Sequence, residues 1–416
     1  MKNTFRNLLL VLIMVVTIAV PLYGSQQASA QDKVTITFWN GFTGSDRPAV
    51  EELVKQFNES QDAIEVEMTI SPWDSLMQNL IGAMPAGEGP DVAGIHFQYI
   101  PQYAASGLLM DLTDTFAEYS ELDPSNWPPA LVDLMQYDGK FYAAPVNYAT
   151  LMMYYNKDLL EAAGLDPETP PADWDMWIEA IKATTTGNQY GLALGERETI
   201  AMWPILIWGN GGDIIEDGAS ALAKPETIEA LQLWGDLVAN DGISPFGLTG
   251  AEADQLFQSG RAAMEINGPW MVNGNIDAGL NFDVAPVPEG PAGRVTLADT
   301  VVFVVSESSE HKDAALEFIN FWNSKEAQLY FSTQTGFPPV RLDMVDDPDL
   351  TEASPWAAKF AASAPYSRFY LGGQEKFVEI DNDIFIPMIQ SITQGISSPE
   401  EAAQQADEQL SALLSD

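Results

Sequence analysis

Only two histidines, His96 and His311, occur in the sequence, and they lie far apart in the chain. A histidine metal site or a Ser-His-Asp relay has little to build on. Cysteine is absent, which removes thiolate ligands, a cysteine nucleophile and any disulfide framework. Neither GxGxxG nor GxxxxGK[ST] occurs, so no phosphate-cradling loop is indicated, and there is no GxSxG elbow. Ser309-Glu310-His311-Lys312 matches SxxK but opens an amphipathic stretch, where Ser309 reads more simply as a helix N-cap. Asp381-Asn382-Asp383 resembles the start of a calcium loop without the glycine and distal glutamate that such a loop needs. A carboxylate pair could hydrolyse a glycoside, yet among 60 acidic residues the sequence singles out none. Neither a metal nor a cofactor is expected.

What the chain does offer is a series of aromatic and amide residues just past predicted strands. Trp39-Asn40-Gly41-Phe42 follows VTITF, His96-Phe97-Gln98-Tyr99 follows PDVAGI, and Asn147-Tyr148 follows FYAAPV. Trp208-Gly209-Asn210 follows PILI, read here as a strand, and Trp270 follows AAMEI across Asn267-Gly268-Pro269. Ligands of open parallel sheets lie outside the carboxyl ends of the strands. Aromatic faces suit the C–H faces of sugar rings, and amides pair with hydroxyls. An uncharged sugar is the expected ligand. Each residue also has a plainer reading, Trp270 as a staple between loop and core, but five such clusters in one class of position together point to a ligand.

The elements that must position them read as α/β. VTITFWN (34–40) and AIEVEMTI (63–70) alternate apolar and polar residues, the mark of strands. Between them Val50, Leu53, Val54 and Phe57 recur at helical spacing, with Asp46 as the expected N-cap and Pro48 in the first turn. Strand, helix, strand in forty residues implies a parallel βαβ unit. Trp73, Leu76, Met77, Leu80 and Ile81 mark the next helix, and others are predicted over 173–185, 225–239 and 310–324. The last starts at Pro399, with Ser398 and Glu401 as a capping box. Short apolar runs at 262–266, 282–285 and 301–305 read as strands.

With 416 residues, 46% of them hydrophobic, the chain suits two globular domains. Lys2 and Arg6, the apolar run 8–20 and ASA at 28–30 form an expected secretory signal peptide over 1–30. Without cysteine there is no lipid-anchor residue, so a periplasmic or secreted protein is expected. A formal net charge of −42 repels phosphate backbones and anionic lipids, which argues against nucleic-acid and membrane-surface partners.

In order along the chain, FWNGFTG (38–44), GEGPDV (87–92), YAASGLLMDLT (103–113), the run from Asp138 to Trp174, WGNGGD (208–213), FQSGRAAMEINGPW (257–270) and HKDAALEFINFW (311–322) resemble the family 1 extracellular solute-binding proteins of ABC importers, the maltose-binding-protein-like class. The resemblance implies a two-lobed periplasmic-binding-protein fold (type II), each lobe a mainly parallel sheet flanked by helices, with a hinge between them. It places the lobes at 31–146 plus 300–338 and 147–299 plus 339–416, with crossings near 146–150, 297–300 and 337–341. It implies a monomer that delivers a sugar or oligosaccharide to the permease's transmembrane subunits without catalysis. Strand-end position and the resemblance together give as candidate ligand residues Asn40, Phe42, His96, Gln98, Asn147, Tyr148, Trp208, Asn210, Trp270, Asp299 and Arg368. Where maltose binders carry an aromatic, an aspartate and an arginine, this chain has Ile95, Gln98 and Tyr99. Where they carry a tryptophan and an arginine it has Asp381-Asn382-Asp383 and Ile386, so the ligand differs from maltose. The alternatives are a secreted carbohydrate-active enzyme, a binding protein for a glycerol-phosphate-type ligand held by Arg368 or Arg294, and one serving sensing rather than uptake.

Overall fold

The structure is a computed structural model that describes residues 33–116, 118–344 and 347–415; the expected signal peptide lies outside them. The opening βαβ unit forms as its periodicity predicts. In the strand Val34–Asn40 the residues Ile36, Phe38 and Asn40 are buried. The helix Arg47–Ser60 lays Val50, Leu53, Val54 and Phe57 against the sheet. The strand Ile64–Ile70 then pairs parallel to the first along its whole length. Asp46 does not cap that helix. Its φ of −81° and ψ of −19° already lie in the helical region, whereas a cap needs an extended residue whose side chain can turn back on the first amides.

Two sheets organise the chain. The larger runs, in spatial order, Ile64–Ile70, Val34–Asn40, Val92–His96, Val301–Val305 and Ala144–Pro145. Its first three strands are parallel and the last two pairings antiparallel. The second sheet runs Phe282–Ala285, Met152–Asn156, Ala262–Asn267 and Tyr190–Ala193, with only the last pairing parallel. The expected mainly parallel sheets are thus corrected to mixed ones. The physical reason is the connection: Val301–Val305 is reached directly from Thr296–Asp299 instead of through a crossover helix, and it enters the sheet in the opposite sense.

A third, small sheet joins the two. Thr296–Asp299 lies between Ser367–Phe369 and Ala149–Thr150. The chain leaves the large sheet at Pro145, passes through Ala149–Thr150 and enters the second sheet at Met152; it returns through Thr296–Asp299 to Val301. The buried apolar residues divide accordingly. One cluster spans Ile36 to Ala149 and Val301 to Val340, the next Leu151 to Leu297 and Tyr370 to Leu410. In the first, Phe38 packs edge-on to Phe303 at 4.9 Å and lies 5.3 Å from Phe318. In the second, Trp234 lies 5.2 Å from Trp174 and 4.8 Å from Trp177.

Other expectations divide. Ser398 and Glu401 form the capping box, with Ser398 Oγ donating to Glu401 Oε2 at 2.8 Å and Glu401 N donating to Ser398 Oγ at 3.3 Å. Ser309 is not an N-cap: the helix is Lys312–Trp322, and Ser309 Oγ donates to Asp91 Oδ1 at 2.6 Å while accepting from His311 N. PILI (204–207) is no strand but part of the helix Trp203–Gly209. An apolar run of four fits either element, and Pro204 in the first turn favours the helix.

Candidate functional site

A cleft of about 450 Å³ opens between the two large sheets. Its walls come from segments that follow strand carboxyl ends. Phe42 follows Val34–Asn40, Trp73 follows Ile64–Ile70, and His96, Gln98 and Tyr99 stand at the end of Val92–His96. From the second sheet come Asn267 and Trp270, after Ala262–Asn267, and the loop Glu198–Ala201, after Tyr190–Ala193. Asn147, Asp299 and Phe337 line it between the two. Tyr370, Phe377, Asp381, Asn382 and Ile386 complete it. Asp381 and Asn382 sit on Glu379–Phe385, a turn with i→i+5 bonding, an irregularity that often marks functional sites.

Two tryptophans form flat walls, each laid on a glycine. A Cβ at Gly268 would stand 2.0 Å from the Trp270 ring, and one at Gly41 would stand 2.0 Å from the Trp73 ring. No other residue leaves room for such close approach. Trp270 is half-buried, lies 6.1 Å from Phe337 and touches three apolar clusters, those of both large sheets included. Its carbonyl accepts from Ser45 Oγ, on the loop after the first strand. Trp73 lies tilted 4.5 Å from the His96 ring and meets Phe42 edge-on at 5.5 Å. Gly41→Val is expected to cost about 1–3 kcal/mol of apo stability by pushing the Trp73 ring outward. Urea unfolding reads this, and a wild-type midpoint would contradict the packing described.

Several buried acceptors on the polar side of the cleft lack hydrogen-bond partners. His96 Nδ1 and Asp299 Oδ2 are 3.1 Å apart, leaving Asp299 Oδ1 without a partner. Asp46 Oδ1 and Gln98 Oε1 are likewise buried and unpartnered. Burial pushes the Asp46 carboxyl up to about 6. Asp381, which accepts from Tyr370 OH at 2.9 Å, is also pushed up to about 6 by burial. Asp74 is raised by burial and by the nearby Glu198 carboxylate. Behind Trp270, Asn267 Nδ2 donates to Asp254 Oδ1 at 2.7 Å and to Glu265 Oε1 at 3.0 Å. Burial and the Asp254 charge hold Glu265 protonated well above the usual carboxylate range. Among the described residues no group of three acids or histidines could hold a metal ion.

Of the residues expected from sequence, Phe42, His96, Gln98, Asn147, Trp270 and Asp299 line the cleft. Asn147 also holds the crossing, its Oδ1 accepting from Val301 N at 2.9 Å. Asn40 stands behind the lining and shapes its loop, accepting from Phe42 N at 3.2 Å. Tyr148 is turned to Ser367 Oγ, 3.0 Å from its hydroxyl, and to the Phe369 ring. Trp208, Asn210 and Arg368 fall outside. Arg368 Nη2 pairs with Asp213 Oδ2 at 2.6 Å, its guanidinium lies 4.5 Å over Trp208, and Trp208 Nε1 donates to Asp213 Oδ1. Asn210 Nδ2 donates to Glu226 O. Trp208 and Asn210 stand at the C-terminal end of the helix Trp203–Gly209, not at a strand end. Arg294 reaches Ala172 O at 3.3 Å and is outside the lining too.

Sequence reasoning missed Trp73, though the signal was present: Ser71-Pro72-Trp73 places an aromatic just past a strand. Helical periodicity absorbed it into the core of Trp73–Ala86. Glu198–Ala201, Tyr370 and Phe377 had no comparable local mark.

The model of bacterial extracellular solute-binding proteins matches residues 52–358. A putative binding protein of Brucella abortus is 27% identical over 409 residues, covering 94% of this chain and 95% of that protein. The sn-glycerol-3-phosphate-binding periplasmic protein UgpB of the same organism is 28% identical over 352 residues, 79% of each chain. Among solved structures, the maltose-bound MalE3 of T. maritima is similar with a TM-score of 0.83 and 25% identity, covering 91% of this chain and all of that one.

Proposed function

The chain belongs to the bacterial extracellular solute-binding protein family, and from that premise we propose that it captures a sugar or oligosaccharide in the interlobe cleft and hands it to the membrane permease of an ABC importer. The observation that carries the ligand class is the pairing of two half-buried tryptophans that line the cleft, Trp73 and Trp270, with buried acceptors that still lack donors. Sugar C–H faces match the former and hydroxyls the latter. The lobes are placed at 31–146 plus 300–338 and 147–299 plus 339–416, the hinge running through the small joining sheet. The protein acts as a periplasmic or secreted monomer and leaves its ligand chemically unchanged.

UgpB-like relatives favour a second reading, a glycerol-phosphate-type ligand. Against it, the cleft lining contains no lysine or arginine, so a phosphate would face carboxylates.

The test is a calorimetric and thermal-shift screen over sugars, with the bound ligand recovered for mass spectrometry. Ligand at 100 times its dissociation constant raises stability by about 2.7 kcal/mol. Periplasmic binding proteins close by hinge motion, so small-angle scattering with the bound sugar should give a smaller radius of gyration. A cleaved product would instead support an enzyme, and unchanged scattering at saturation would count against closure.

A further inference from the structure

Carboxylates are common everywhere on a chain with 60 acidic and 18 basic residues, so an acidic cleft says little by itself. Burial distinguishes some of these acids. Asp46 and Asp299 line the cleft at 6% and 4% exposure, and each keeps one buried carboxylate oxygen without a hydrogen-bond partner. Asp254 and Asp381 are half-buried beside the same space, and Asp74 and Glu198 stand exposed at its edge. No lysine or arginine lines the cleft, and its one histidine, His96, is already engaged with Asp299. We propose that the ligand carries a protonated amine, an amino-substituted saccharide or polyol whose ammonium group sits among these carboxylates.

Hydroxyl donors of a neutral sugar can satisfy lone pairs, but they leave the charges in place. Closing a cleft over unpaired carboxylates is expensive, because the solvent that stabilised them is removed. An ammonium supplies donors and counter-charge together. A metal ion would also supply the charge, but no three of the described acids converge to hold one. The aromatic residues Tyr99 and Phe377 border the same space and favour an organic cation. With its carboxyl at about 6, Asp46 is still mostly ionised at neutral pH, so the charge is present to be met. This revises the uncharged sugar expected from sequence, and it rests on the interlobe cleft being the ligand site.

The experiment compares shape-matched pairs by titration at pH 7.5: D-glucose with D-glucosamine, D-galactose with D-galactosamine, and cellotriose with the β-1,4-linked glucosamine trimer. Choline is added as an ammonium without a sugar ring. An amino member is expected to bind at least about tenfold tighter than its neutral partner. That ratio should shrink between 0.05 and 0.5 M salt, roughly as screening shortens from over 10 Å to a few ångströms. Asp46→Asn should narrow it as well. If that variant does not fold, the exposed pair Asp74→Asn with Glu198→Gln serves the same purpose. Neutral members binding as tightly as amino members would overturn the amine and leave the saccharide reading standing. Choline binding alone would keep the cation and remove the saccharide. A panel in which no amine binds overturns the proposal.

Discussion

Trp270→Ala is expected to weaken sugar binding by roughly 30- to 800-fold, the 2–4 kcal/mol typical of an aromatic anchor cut to alanine. The ring lies flat on Gly268, borders the cleft and touches three apolar clusters, those of both large sheets included. It is therefore wall and staple at once, and the apo protein should also lose stability. Half of a tryptophan's burial, roughly 100 Å² at 25 cal/mol per Å², corresponds to about 2.5 kcal/mol. The two roles separate in other variants. Trp270→Phe keeps a stacking face and should recover part of the affinity. Gly268→Val keeps the indole but drives a methyl-bearing Cβ into it, and should lower affinity through displacement alone. Titration beside apo melting decides the matter. A Trp270→Ala protein that binds its sugar normally would reduce Trp270 to a staple.

Apo stability is expected to be highest near pH 4 and to fall by several kcal/mol towards pH 8. Asp46 and Asp381 are pushed up to about 6 and Glu196 to about 7, all chiefly by burial, and Glu265 is raised further in the same direction. A carboxyl with a raised folded-state pKa holds a proton that the unfolded chain has already released. Its contribution is complete below the unfolded value near 4 and is lost as pH rises through the folded value. For buried Asp46, a shift from 3.8 to about 6 is worth on the order of 3 kcal/mol, and Glu196 contributes a similar amount. Acids with lowered values, such as Asp343 beside Arg341, act oppositely and set the decline below about pH 4. Self-repulsion among 60 acidic residues adds to the alkaline loss, so the melts belong in 0.5 M salt, where it is screened. Asp46→Asn should flatten the profile. A melting temperature that rises from pH 5 to pH 8 would show these carboxyls to be solvated.

By itself the sequence determined the α/β class, the opening βαβ unit, the capping box at Ser398 and the loop that carries Trp270. These follow from periodicity and caps, which act within a few residues of one another. The mixed sheets lay beyond its reach, because strand direction depends on which segment the chain returns from, as Val301–Val305 shows. So did the fate of PILI, since a run of four apolar residues satisfies a helix and a strand equally until its neighbours pack. The cleft itself was half legible. Phe42, His96, Gln98 and Trp270 stand where strand-end logic puts them, whereas Arg368 carries a free-looking charge that Asp213, distant in sequence, takes up. Asp46 shows the limit most clearly: its type and position fit a helix cap, and only the fold buries it beside the space between the sheets, because burial is decided by what packs around a residue and not by its neighbours in the chain.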